Sequence, residues 1–98
     1  MRYIQSFKLK TFYKDGQGIK HKQTNIINCW SESTRYGFRH IAQMGDYEFK
    51  CCYYNRTWER FTFESVLLKA LHFLNENSNG VKIRSFQRYL DKNLTRIN

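Results

Sequence analysis

The sequence predicts a single α+β domain over residues 1–98, an antiparallel sheet of three to five strands covered by two C-terminal helices. Three observations carry that prediction. Residues 1–61 contain several runs in which apolar and polar side chains alternate, with glycine-bearing turns between them. Residues 62–77 then place apolar side chains at steps of three and four, and residues 82–96 do so again after Gly80. Strands first and helices afterwards is the order of an α+β layer structure.

The first strand is read from residues 1–14, where Tyr3, Phe7, Leu9 and Tyr13 point one way and Arg2, Lys8 and Lys10 the other. Asp15-Gly16-Gln17-Gly18 is a turn sequence. Ile19 to Thr24 reads as the returning strand, with Lys20 and Lys22 on one face and Ile19, His21 and Gln23 on the other. This hairpin places Lys8, Lys10, Lys20 and Lys22 on one solvent face if the register allows it, and the sequence leaves the register open.

Residues 25–36, NIINCWSESTRY, lose the alternation. Trp30 is expected to anchor the stretch to the core, and Ser31 to Arg35 reads as a polar loop or a short helical turn. Alternation returns from Gly37 to Met44, with Phe38, His40, Ala42 and Met44 on one side. Gly45-Asp46 turns the chain, and Tyr47, Phe49, Cys51 and Tyr53 alternate with Glu48, Lys50, Cys52 and Tyr54 to complete a second hairpin. Asn55-Arg56-Thr57 is a bend, and Trp58 to Phe61 leads into the first helix.

That helix carries Phe63, Val66, Leu67, Ala70, Leu71 and Leu74 on one face, with Leu68 and Phe73 widening the stripe. A stripe that wide predicts packing on two sides, against a sheet and against another helix. Thr62 is the expected N-cap, Glu64 suits the first turn, and Asn75 to Gly80 ends the helix. In the second helix Ile83, Phe86, Leu90, Leu94 and Ile97 form the apolar stripe, while Arg84, Arg88, Lys92 and Arg96 recur every four residues on the opposite face.

A 98-residue chain with 17% aromatic residues supports one modest core without a metal or a disulfide. No apolar run approaches the ~20 residues of a membrane span, and no signal-peptide h-region is present. The expected location is therefore the cytosol, away from the membrane. Three Cys, two of them adjacent, form neither a disulfide framework nor a zinc spacing with His21, His40 and His72, so free thiols, no metal and no cofactor are expected.

Net charge is +9, and its distribution is uneven. Residues 1–24 hold six Lys/Arg against Asp15, residues 25–80 hold six against six acids, and residues 81–98 hold five against Asp91. The whole excess sits at the two ends of the sequence, which points to a polyanion or an acidic protein as partner. A solvated face that serves solubility is the plainer reading of the same charges. Arg84 to Arg96, spaced by four, suit phosphates better than base edges.

Catalytic signatures are absent: there is no GxSxG, no glycine-rich phosphate loop and no carboxylate pair sharing a site. His21, His40 or His72 with Glu32 or Glu59 would supply the acid and base of a small ribonuclease or toxin. Any basic chain of this size offers such a set, so an enzyme is the third reading and no catalytic residue is named. His40 falls on the apolar side of its strand, as a hydrogen-bonded core histidine would, and His72 on the polar arc of its helix. Nothing calls for a small-molecule ligand. The paired aromatics of RNA-binding sheets and zinc-finger spacings are also missing.

The segment Cys52-Tyr53-Tyr54-Asn55-Arg56-Thr57-Trp58-Glu59-Arg60-Phe61-Thr62-Phe63-Glu64 resembles a pattern in small proteins of phages and mobile elements of Gram-positive bacteria, where a strand ending in aromatics runs into an Asn-Arg-Thr-Trp-Glu-like bend. Some proteins of that kind are anti-CRISPR inhibitors of Cas nucleases. The resemblance implies a non-enzymatic interaction protein whose partner is a host nuclease or nucleoprotein complex such as a Cas effector. Direct, weakly sequence-specific binding to nucleic-acid backbone, as by a small phage regulator, is the alternative. No functional residue carries over from the resemblance; on physical grounds alone Arg56, Trp58 and Arg60 either fix the corner between sheet and helix or form a binding hot spot.

Overall fold

The alternation of the first fourteen residues becomes strand β1, Gln5–Lys14, which returns as β2, Lys20–Thr34. The computed structural model describes residues 4–53, 63–77 and 83–97. The turn between these strands is built by Asp15. Its Oδ1 accepts from the backbone N–H groups of Gln17 and Ile19 at 2.9 Å each, and Oδ2 lies 2.7 Å from His21 Nε2. Gly18 supplies the positive φ of 81° that closes the reversal.

β2 corrects the expectation of a loop or helical turn at Ser31 to Arg35. It continues unbroken to Thr34, turns at Arg35 and Tyr36, and is followed by β3, Gly37–Met44, and β4, Tyr47–Tyr53. The two hairpins are thus joined edge to edge into one antiparallel meander. The alternation fails in this stretch because β2 is buried on both faces, Ile27 and Cys29 on one side and Trp30 on the other. Each half of β2 serves a different neighbour: Lys20 to Cys29 pair with β1, and Asn28 to Thr34 pair with β3.

Helix α1 spans Glu64–Glu76 and buries Val66, Leu67, Ala70 and Leu71. Its N-cap position is held by Phe63, which makes no side-chain cap bond. Thr62, the expected cap, lies outside the described residues, as do Tyr3 and Gly80. Helix α2 covers only Phe86–Asn93, with Ser85 Oγ accepting from the Arg88 N–H at 3.4 Å. The expected helix over 82–96 is cut short because Leu94–Arg96 form strand β5, which pairs antiparallel with β1 from Phe7 to Leu9. The sheet order is β4-β3-β2-β1-β5.

The register divides the sheet into two faces. Odd positions of β1 meet odd positions of β2, and these meet even positions of β3, so Phe7, Leu9, Ile27, Cys29, Ala42 and Met44 share one face. That face packs under α1 and α2, where Phe63, Val66, Leu67, Ala70, Leu71 and Leu90 complete the core. The core contains polar groups with partners. Asn25 Nδ2 donates to Leu9 O and Thr11 Oγ1 at 3.0 and 2.9 Å. His40, wholly buried, has Nδ1 2.6 Å from Ser31 Oγ and meets the Phe63 ring edge-on. No described helix is long and apolar enough to cross a membrane.

Candidate nucleic-acid interface

The opposite face of the β1–β2 hairpin carries the even positions of both strands. Lys8, Lys10, Phe12 and Lys14 of β1 lie beside Ile26, Thr24, Lys22 and Lys20 of β2 in that order. The register therefore brings Lys8, Lys10, Lys20 and Lys22 onto one surface, and all four are exposed. Lys14, also exposed, and half-buried Phe12 join them. Both were missed by sequence reading, although they continue the two-residue spacing of Lys8 and Lys10.

This surface holds five ammonium groups and no carboxylate between Ser6 and Lys14 or between Lys20 and Asn28. Lysines two apart on a strand stand about 7 Å from one another, and the strands lie about 4.8 Å apart. Such a grid of like charges is self-repelling, and a flexible polyanion relieves that repulsion by lying across it. Lys20 is partly settled within the fold, with its Nζ 4.5 Å from the centre of the Phe12 ring. Asp15 stays off this surface, since it is turned to His21 and to the turn's own N–H groups. Those bonds, the one to His21 above all, lower its pKa from the ordinary carboxylate value.

The second basic group is dispersed. Arg84 precedes α2 at a bend, Arg88 and Lys92 lie one turn apart on α2, and Arg96 belongs to β5. The continuous row expected from the spacing of four is broken because the chain leaves the helix at Leu94. α2 also packs on the core side of the sheet: Leu90 enters the core and the Tyr89 hydroxyl donates to Lys10 O at 2.8 Å. Its cations and the hairpin lysines therefore belong to different layers of the fold. Arg56, Trp58 and Arg60 lie outside the described residues, as does Glu59.

The histidines considered for catalysis do not converge. His21 sits at the hairpin turn, His40 in the core, and His72 is exposed on α1 with its ring 3.7 Å from that of Phe86. Glu32 accepts from Arg39 at 2.7 Å on the lysine side of the sheet, away from His40. Among the described residues no three His, Cys, Asp or Glu side chains gather into a metal-binding group. Cys51 and Cys52 face opposite sides of β4, and buried Cys29 has its thiol pushed up to about 12 by desolvation. The arrangement as a whole offers electrostatic binding. No protein-family model, no curated protein and no solved structure matches the chain.

Proposed function

We propose that this chain is a non-enzymatic interaction protein of phage or mobile-element type, which engages a host nucleic-acid machine by laying the lysine face of its first hairpin along sugar–phosphate backbone. The observation that carries this reading is the gathering of Lys8, Lys10, Lys14, Lys20 and Lys22 on one face of the β1–β2 hairpin, with no carboxylate between Ser6 and Lys14 or between Lys20 and Asn28. Inhibition of a CRISPR nuclease is its most concrete form, supported by the resemblance over residues 52–64. The protein then competes for, or sits upon, the nucleic acid that such a complex carries.

The test is a salt titration of binding to labelled duplex DNA. Replacing Lys8, Lys10 and Lys22 by Ser should reduce the slope of log K against log salt by about 0.9 for each phosphate no longer neutralised. Affinity should fall equally on unrelated sequences, because phosphates carry no sequence information. The Arg84, Arg88 and Lys92 triple Ser variant alters the other layer and should keep most of the slope. An unchanged slope in the lysine variant sinks the reading.

A protein surface of the nuclease is the second reading. Phe12 and the 44% exposed Ile26 set apolar contact area among the lysines, as protein interfaces do. Capture of nuclease stripped of nucleic acid, with no binding to free duplex, would select it.

A further inference from the structure

β5 covers only part of β1. It pairs with Phe7, Lys8 and Leu9, and just beyond it Ile97 N donates to Ser6 O at 2.8 Å. In an antiparallel ladder alternate residues turn their N–H and C=O to opposite neighbours, so the even residues of β1 address the β5 side. The Tyr89 hydroxyl occupies Lys10 O. Past that point Phe12 and Lys14 present their backbone to an edge where no described strand lies.

A cleft of about 510 Å³ opens at this end of the hairpin, lined by both β1 and β2. Thr11, Tyr13 and Gln23 line it from the core side of the sheet, Leu74 and Asn77 from the end of α1, and Phe12, Lys14 and Lys22 from the lysine face. It brings Tyr13 together with two residues of the lysine face, Lys14 and Lys22. Tyr13 rests one side against His21, with ring centres 5.2 Å apart, and keeps 40% of its surface exposed. A second cleft, about 450 Å³ between α1 and α2, is rimmed by Glu64 and Asp91 and touches none of the hairpin lysines.

We infer that the first cleft receives one unstacked nucleotide of a single-stranded nucleic acid, its base against Tyr13 and its flanking phosphates on Lys14 and Lys22. This rests on the nucleic-acid reading above and adds the strand state of the ligand. The cleft lies in the size range of small-ligand sites. A base inside a duplex cannot enter it, whereas a splayed base of a single strand can stack on an aromatic side chain whatever its identity. The Gln23 carboxamide offers a donor and an acceptor to the edge of a base, Asn77, whose Nδ2 already donates to Phe73 O at 2.7 Å, adds an acceptor in its Oδ1, and the lysine face continues the track for the backbone on either side.

The experiment compares fluorescence anisotropy of a labelled oligothymidine with that of a duplex of equal length, at one salt concentration, for the parent and two variants. Tyr13→Leu keeps an apolar, strand-compatible side chain but removes the ring, and Tyr13→Phe keeps the ring. The parent should bind the single strand more tightly than the duplex. Tyr13→Leu should weaken single-strand binding about five- to a hundredfold and leave the duplex as it was. Tyr13→Phe should behave as the parent. Equal affinity of the parent for both ligands, or a Tyr13→Leu variant that keeps the single-strand preference, overturns the inference while the lysine face stands. Failure of the parent to bind either ligand overturns both.

Discussion

The Lys20 ammonium stands 4.5 Å from the centre of the Phe12 ring, reaching it diagonally, since the residues directly opposite are Lys22 for Phe12 and Lys14 for Lys20. A cation over an aromatic ring at an exposed site contributes about 0.5–1 kcal/mol. The contact also fixes one of the five lysines in place before any ligand arrives. A double-mutant cycle with Phe12→Leu and Lys20→Met, followed by urea unfolding, should return a coupling of that size. A coupling of zero would mean that the ammonium does not dwell over the ring in solution.

Acid should loosen the tip of the same hairpin. Asp15 titrates below its ordinary value, first because of His21 and then because of the turn's N–H groups. A lowered folded pKa means that the carboxylate's contribution is complete above the unfolded value, roughly 3.9, and is lost as pH falls through the folded one. Asp15→Asn should therefore be less stable than the parent near neutrality, with the difference closing at low pH. Carbon-detected NMR titration of Asp15 in His21→Gln should show its pKa moving back up. No movement would mean that His21 is not the group holding it down.

In the core, Asn25 holds two acceptors at once, Leu9 O and Thr11 Oγ1. Asn25→Ala leaves Thr11 Oγ1 and the second lone pair of Leu9 O without this donor where little water reaches, since Leu9 is wholly buried and Thr11 only 7% exposed. The expected cost is about 1–3 kcal/mol, read from the denaturant midpoint at constant m. A shift smaller than about 0.5 kcal/mol would show that water takes the vacated place.

Thiol chemistry should rank the three cysteines by burial. Cys52 is exposed, Cys51 half-buried and Cys29 wholly buried with its thiol pushed up to about 12. Native protein should modify fastest at Cys52 and not at Cys29 on the same timescale, while unfolded protein modifies at all three. Rapid native modification of Cys29, located by peptide mass mapping, would contradict the packing described for β2.

Much of the fold was legible because half-buried strands announce themselves. β1 and β4 each put one face on the core and one outside, and β3 keeps its core face at His40, Ala42 and Met44 although Ile41 is buried on the other side beside Trp30, so their two-residue period survives in the sequence. β2 was lost where Ile27, Cys29 and Trp30 are buried on opposite faces, since burial on both sides erases the period. The end of α2 was lost for another reason. Leu90, Leu94 and Ile97 satisfy a helical spacing, but pairing with Phe7, Lys8 and Leu9 overrode it, and nothing local encodes a partner so distant in the chain. For the candidate interface, parity along β1 and β2 placed four lysines in two pairs, and only the register could join those pairs. The cleft beside Tyr13 was invisible, because it depends on the register of β1 with β2 and on where α1 ends.

β5 also has a consequence for the order in which the molecule assembles. The ladders β1–β2, β2–β3 and β3–β4 join neighbours in sequence and can form as each hairpin closes. The β5–β1 ladder joins residues almost the whole chain apart, so its loop must close late, when α1 and α2 already hold its two sides near each other. Until then the Phe7–Leu9 edge is a bare strand margin, open to pairing with another copy. Refolding should show a rapid phase for the meander and a slower one for this last suture, and competing aggregation should rise with protein concentration only before the slower phase is complete.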